Sequence, residues 1–193
     1  MLYIIQAVPE RLDHVEYMMS RLPGARLYVD RRKKATTAFI RSMLLAGDQP
    51  HVHLQDDIWF VKDFDRKINE AVSQHPDDII NFYPGMSKAP WEKHWRTGSR
   101  FQCLPCTYFP ANFSRGFAQW CAENQNGYPD NPEWRENADD STLQLYLKSL
   151  RLKYLCWWPP LVQHRLGKSM LGHARGRQTP FVTEDQLDLP GRG

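Results

Sequence analysis

The sequence predicts one α/β domain with a mixed, mostly parallel central sheet flanked by helices. Three observations lead to this fold class. Short segments rich in β-forming residues alternate with segments of helical spacing through the first 60 residues. The chain has 193 residues, enough for one domain with a substantial core. It contains no internal repeat and no linker. A strand–helix–strand–helix–strand order favours parallel strands joined by crossover helices.

The first half of the chain has the clearest pattern. Strands are predicted at residues 2–8, 25–30 and 51–60, and helices at residues 10–22 and 35–46. Pro9 ends the first strand, Pro23 with Gly24 ends the first helix, and Gly47 ends the second.

The second half is less regular. Helices are predicted at residues 65–74, 112–124 and 140–150, and strands at 78–83, 102–110 and 153–158. The prolines at 105 and 110 favour an edge position for the strand at 102–110. We place the domain at residues 1–175 and a weakly ordered tail at 176–193.

Composition is that of an ordinary globular protein, with 41% hydrophobic and 24% charged residues. The net charge of +3 does not by itself indicate nucleic-acid binding. The chain start lacks the pattern of a signal peptide, and no apolar stretch is long enough to span a membrane. We therefore expect a cytoplasmic protein without membrane contact. Cys103 and Cys106 have zinc-pair spacing, but no second close pair follows, so buried thiols are favoured.

Two adjacent aspartates, Asp56 and Asp57, interrupt the apolar stretch HVHLQDDIWF at residues 51–60. A turn would explain the charges. The alternative is a divalent cation, because ligands of parallel α/β sheets bind beyond the carboxyl ends of the strands. Carboxylate oxygens at that position suit Mg²⁺ or Mn²⁺ bound to a diphosphate.

A second acidic pair, Asp139 and Asp140, opens the predicted helix that contains four leucines. An aspartate at a helix start commonly caps the helix, and capping explains one of the two. The helix dipole keeps a second carboxylate ionised, so it could act as a general base.

Further candidates lie near the ends of other strands. His164 follows the last predicted strand and could bind a metal or a phosphate, with His173 as the next choice. Lys168 lies beside glycine and could contact phosphate, although the spacing of a P-loop is absent. Asp30 ends the second strand, where an acidic residue can contact a ribose, and residues 31–34 (RRKK) follow it. These basic residues oppose the helix dipole, which slightly favours an anion-binding role.

In this order, the motifs resemble a small nucleotide-sugar glycosyltransferase of the GT-A type over residues 2–173. The resemblance implies a metal-dependent transfer from a nucleoside-diphosphate sugar, most simply a UDP-sugar, with Mn²⁺ or Mg²⁺. The family's D-x-D motif reads Gln55-Asp56-Asp57 here, so glutamine replaces the first aspartate. The implied roles are nucleotide binding by Gln6, Ala7, Val8, Pro9, Arg11, Asp30, Asp56 and Lys168, metal binding by Asp57 and His164, and base catalysis by Asp140.

The sequence leaves the acceptor of the transferred sugar open. Similar enzymes occur in bacteriophages, and some act on hydroxymethylated pyrimidines in DNA. Basic and aromatic residues interleave at residues 88–100 and again, with His and Arg, at 173–177, which favours a DNA acceptor. A glycan or protein acceptor remains an alternative. So do a metal-dependent nuclease or phosphoesterase and a binding module without catalysis.

Overall fold

A computed structural model describes residues 1–84, 95–98, 101, 103–124, 138–165, 179 and 181–190. The strands are β1 (Leu2–Ala7), β2 (Arg26–Val29), β3 (His51–Gln55), β4 (Ile58–Phe60), β5 (Ile80–Asn81), β6 (Trp95–Gly98), β7 (Cys106–Phe109), β8 (Tyr154–Trp157) and β9 (Val162–His164). The α-helices are α1 (Leu12–Arg21), α2 (Ala35–Leu44), α3 (Phe64–Gln74), α4 (Phe113–Asn124) and α5 (Asp139–Ser149). Short 3-10 helices occupy Pro9–Arg11 and Glu184–Gln186.

Seven of these strands form one mixed sheet in the order β2-β1-β3-β7-β5-β8-β6. The pairs β1–β2, β1–β3 and β5–β8 are parallel, whereas β7 and β6 are antiparallel to their neighbours. Most strands of the sheet therefore run in the same direction. The predicted α/β class with a mixed, mostly parallel sheet is confirmed.

Helices and the small β4–β9 sheet cover the central sheet on both faces. On one face, Phe39 of α2 packs with Phe117 of α4 and Leu143 of α5. On the other, Val15 of α1 and Ile68 of α3 belong to the same cluster as the apolar residues of β4 and β9. Strand β1 lies between these layers, which is why it is an almost continuous apolar segment rather than an alternating one.

The predicted strand at residues 51–60 is instead two strands in different sheets. Strand β3 pairs with β1 and β7 in the central sheet, and β4 pairs with β9. Asp56 and Asp57 form the turn between them. Asp56 is nevertheless only 5% exposed, so this is not the solvated turn that the charges suggest.

Strand β7 is central rather than at the sheet edge, because β3 and β5 pair with it on either side. The prolines that indicated an edge strand flank the strand at 105 and 110, and all of its residues are buried. Two further strands, β6 and the three-residue β9, were not predicted from the sequence.

The described part of the predicted tail packs against the domain. Val182 and Leu187 lie in the hydrophobic core, and Leu187 forms an isolated β-bridge with Val61. The buried Gln163 side chain donates to the carbonyl oxygens of Thr179 (2.8 Å) and Val182 (3.2 Å). These contacts differ from the weak order expected from the sequence. The domain boundary at residue 175 itself stays a prediction.

Within the described residues, no helix is long and apolar enough to cross a membrane.

Adjacent residues of α2 provide a test of this packing. Met43 is fully buried, whereas Leu44, of similar size, is 50% exposed. We expect Met43→Ala to lower the free energy of unfolding by about 2–5 kcal/mol, because it leaves a cavity in the core. The matched Leu44→Ala should change it by less than about 0.5 kcal/mol. Urea denaturation of both variants measures the difference, and equal losses would contradict the orientation of α2.

Candidate functional site

The candidate site is built at the carboxyl ends of the parallel strands β1 and β3. Their register pairs Gln6 with Gln55, so the chain leaves both strands at the same level. Immediately beyond, the backbone N–H of Val8 donates to Asp56 Oδ2 at 2.7 Å. Asp56 thus satisfies a backbone donor that no longer has a strand partner.

Arg11 joins both aspartates of the turn. Its Nη1 lies 2.7 Å from Asp56 Oδ1 and 3.1 Å from Asp57 Oδ2. Burial alone would lower the pKa of Arg11, but the two carboxylates outweigh it and raise that pKa. Burial raises the pKa of Asp56, and Arg11 and the Val8 N–H act in the opposite direction. Two carboxylates and one guanidinium leave this cluster with a net negative charge at neutral pH.

Asp57 also faces His164, the last residue of β9. Asp57 Oδ1 and His164 Nδ1 are 3.6 Å apart, which is longer than a hydrogen bond. Burial raises the pKa of Asp57, but His164 and Arg11 outweigh it, and the pKa is lowered. The backbone N–H of Arg165 donates to the Asp57 carbonyl at 2.7 Å and holds the turn against β9. The ring of Tyr83 packs edge-on against His164, with centroids 4.9 Å apart.

Asp57 Oδ1 is the atom of this cluster that could bind a divalent cation. Asp57 Oδ1 is buried and accepts no hydrogen bond from any described residue. Asp57 Oδ1 and His164 Nδ1 can serve as two ligands of an ion that takes its others from phosphate and water, as Mg²⁺ commonly does. Among the described residues, no group of three or more His, Cys, Asp or Glu is placed to hold an ion by itself.

The second acidic pair is brought to the same edge of the sheet by Gln55. Gln55 Nε2 donates to Asp139 Oδ2 at 3.1 Å, and this bond links residues 84 positions apart. Asp139 is 8% exposed. Burial, together with the neighbouring charge of Asp140, raises its pKa to about 6. Gln55 thus connects β3 to the start of α5.

Asp140, the predicted general base, lies in the first turn of α5 and is partly exposed. Its N–H donates to Asp139 Oδ1 at 3.0 Å, and its Oδ1 accepts the N–H of Ser141 at 2.7 Å. Asp139 therefore anchors the helix start, and Asp140 is the more accessible carboxylate of the pair.

Other residues predicted to bind the nucleotide have structural contacts. The Asp30 oxygens accept the backbone N–H groups of Arg32 (3.0 Å) and Lys34 (2.7 Å), and its own N–H donates to the Ala7 carbonyl at 2.7 Å. A carboxylate oxygen keeps further lone pairs, so the ribose contact of Asp30 stays a prediction. Gln6 is 9% exposed, and its Oε1 lies 3.1 Å from His53 Nε2. Pro9 begins the 3-10 helix that carries Arg11.

Several predicted residues lie outside the described part of the chain. They are Lys168, His173, the basic segment at 173–177 and most of the segment at 88–100. Trp95 of the latter is described. Its ring packs edge-on against Trp157 at 4.7 Å and His75 at 4.5 Å. Trp95 is therefore part of the packing around β6 rather than a ring projecting into solvent.

The four cysteines are free thiols. Burial raises the pKa of Cys106 well above its usual value, and it raises the pKa of Cys121 and Cys156 to about 12. Such thiols stay protonated, which agrees with the buried-thiol interpretation.

Sequence reasoning missed two contributors to the site. Tyr83 follows the short strand β5 and carries no motif that would single it out. Gln55 was identified only as a defect of the D-x-D motif, although its bond to Asp139 joins the two acidic motifs. A polar side chain at the end of an otherwise apolar strand was the available signal.

Comparison with known proteins adds little. No protein-family model and no curated protein matches the chain. Among solved structures, the chain is similar to apo-UDP-glucose pyrophosphorylase, at 10% identity and a TM-score of 0.46, over 81% of this chain and 72% of that one. It is also similar to A197 from STIV, at 13% identity and a TM-score of 0.44, over 95% and 98% of the respective chains. Because both TM-scores are low, neither likeness informs the function of this chain.

The buried carboxylate of Asp139 predicts a specific pH dependence. Its pKa is about 6 in the folded chain, above its ordinary value of 3.8. Between these two pH values the folded state keeps a proton that the unfolded state releases, so stability falls as pH rises from about 4 to about 6. Asparagine does not titrate. Relative to the wild type, Asp139→Asn should therefore gain free energy of unfolding between pH 4 and pH 7, by up to roughly 3 kcal/mol.

Urea denaturation of the wild type and of Asp139→Asn, each at pH 4 and at pH 7, measures this difference. Parallel pH profiles would contradict a raised pKa at Asp139.

Proposed function

We propose that this chain is a glycosyltransferase that moves a sugar from a nucleoside-diphosphate sugar, with a UDP-sugar as the expected donor, to an acceptor hydroxyl. The observation that carries the proposal is the hydrogen bond between Gln55 and Asp139. It places the start of α5, with Asp139 and Asp140, at the strand end that carries the Asp56–Asp57 turn. A donor site and a candidate base are thereby joined at the carboxyl edge of the sheet, where ligands of α/β sheets bind.

The donor site has the charges that a diphosphate with its cation requires. Asp57 and His164 would hold Mn²⁺ or Mg²⁺, which would neutralise the departing nucleoside diphosphate. Arg11 balances one of the two carboxylates, so the remaining negative charge attracts a cation. Asp56 is committed to Val8 and Arg11 and positions the turn. The β1 end, with Gln6, Ala7 and Pro9, and Asp30 after β2 would border the nucleotide, and Lys168 would contact phosphate.

Asp140 would act as the general base in an inverting transfer. It would remove the proton of the acceptor hydroxyl as the oxygen attacks the anomeric carbon. Its position at a helix N-terminus supports the ionised form that a base needs. Asp139 holds Asp140 in place through the backbone N–H that it accepts.

The proposed acceptor is a hydroxymethylated pyrimidine in DNA. Its support is the interleaved basic and aromatic sequence at 88–100 and 173–177, most of which lies outside the described residues. The acceptor class therefore stays a prediction from sequence.

Donor binding is tested with a thermal-shift panel of nucleoside diphosphates and nucleotide sugars, with and without Mn²⁺. We expect one nucleotide to raise the Tm only when the metal is present. In Asp57→Ala the metal-dependent affinity should fall about 100-fold, equivalent to roughly 3 kcal/mol. The control, Asp78→Ala, removes an exposed aspartate whose ion pair among the described residues is with His75. Metal-dependent binding that survives Asp57→Ala would refute the assignment of the ligand.

Transfer is tested with the preferred nucleotide sugar and paired DNA substrates, one with hydroxymethylated and one with plain pyrimidines. We expect product only on the hydroxymethylated strand. Asp140→Asn should lower kcat by about 100-fold or more with little change in donor affinity, because it removes only the base. Product on a glycan or protein instead would redirect the acceptor assignment. Cleavage of either DNA without a nucleotide sugar would favour a metal-dependent nuclease.

A further inference from the structure

A second polar cleft lies at the carboxyl end of β2. It has a volume of about 200 Å³, and its walls come from the segment after β2 and from one side of α2. The charged and aromatic side chains that line it are Tyr28, Asp30, Arg31, Arg32, Lys34 and Arg41. Neither Arg11 nor Asp57 lines this cleft, which shares Asp30 with the residues proposed to border the nucleotide.

Asp30 is the one acid among the residues that line the cleft, against four basic ones. Asp30 is 6% exposed, and its two oxygens accept the backbone N–H groups of Arg32 and Lys34. These bonds hold the backbone of the segment that carries Arg31, Arg32 and Lys34. Lys33 pairs with Glu10 at 2.5 Å and does not line the cleft.

The residues that line the cleft have a surplus of positive charge. Among the described residues, Arg31, Arg32 and Arg41 form no ion pair with any acid. Other exposed arginines differ, since Arg66 pairs with Asp63 and Arg115 pairs with Asp48. Three like charges around one cleft repel one another, and a bound anion removes that repulsion.

We infer that this cleft binds a phosphate group. Arginine presents a planar fork of N–H donors that matches phosphate oxygens, and several arginines can share one phosphate. The positive end of the α2 dipole adds to the same potential. The phosphate is carried either by a small molecule, as a free phosphate or monoester, or by a nucleic-acid strand, as a phosphodiester. The inference does not require sugar transfer by the chain.

The test is a calorimetric titration at low ionic strength with inorganic phosphate and, separately, with a single-stranded thymidine octamer. The wild type should bind at least one of them, and phosphate binding should exceed any response to chloride. The triple variant Arg31→Gln, Arg32→Gln, Arg41→Gln should lose at least tenfold in affinity. The side chains of these arginines are exposed, so the variant should fold, and its Tm is measured alongside.

A matched triple variant controls for net charge. Arg66→Gln, Arg115→Gln and Lys148→Gln remove the same charge from exposed positions that do not line the cleft. This control variant should keep the wild-type affinity for phosphate and for the octamer. The titrations contain neither Mn²⁺ nor a nucleotide sugar, which separates failure of this inference from failure of the proposed donor site.

Each outcome of these titrations either supports or overturns the inference. Binding of the octamer in competition with phosphate identifies a phosphodiester, and binding of phosphate alone identifies a small ligand. Binding of neither, or equal losses in both triple variants, overturns the inference.

Discussion

The burial of Asp56 is the constraint on which the rest of the site depends. A carboxylate that is 5% exposed must be paired, because an uncompensated buried charge costs several kcal/mol. Its partners are the Val8 N–H at the end of β1 and the guanidinium of Arg11 in the following 3-10 helix. Pairing these groups fixes the β1 and β3 ends relative to each other. It also leaves Asp57, the next residue, at the surface of the cluster, facing His164.

The two neighbouring acids at the start of α5 differ in burial in the same way as Asp56 and Asp57. Asp139 is buried and bonded to Gln55, while Asp140 is partly exposed. In each pair one carboxylate is buried and the other is partly exposed. This division explains why each motif has two acids, and why a mutation of the buried member should first affect stability rather than ligand binding.

The fold class and most elements followed from local patterns. Proline and glycine marked the ends of β1, α1 and α2, and the strand–helix alternation predicted the parallel pairs. The two errors have different physical causes. The single strand predicted at 51–60 is two strands because the chain turns at Asp56, where pairing with Val8 and Arg11 outweighs the β-propensity of the flanking residues. The edge position predicted for β7 was wrong because Pro105 and Pro110 lie outside the paired residues, a matter of register that composition does not reveal.

The sequence by itself determined the residues with chemical potential, namely two acidic pairs, a late histidine and a basic segment after the second strand. It also determined the order in which they follow their strands. Only the tertiary structure decided which of them meet. Asp57 faces His164 across 107 residues because β4 pairs with β9, and Gln55 bonds Asp139 because α5 packs on the sheet beside α2. Such contacts depend on strand pairing and helix packing between distant segments, which no local pattern encodes.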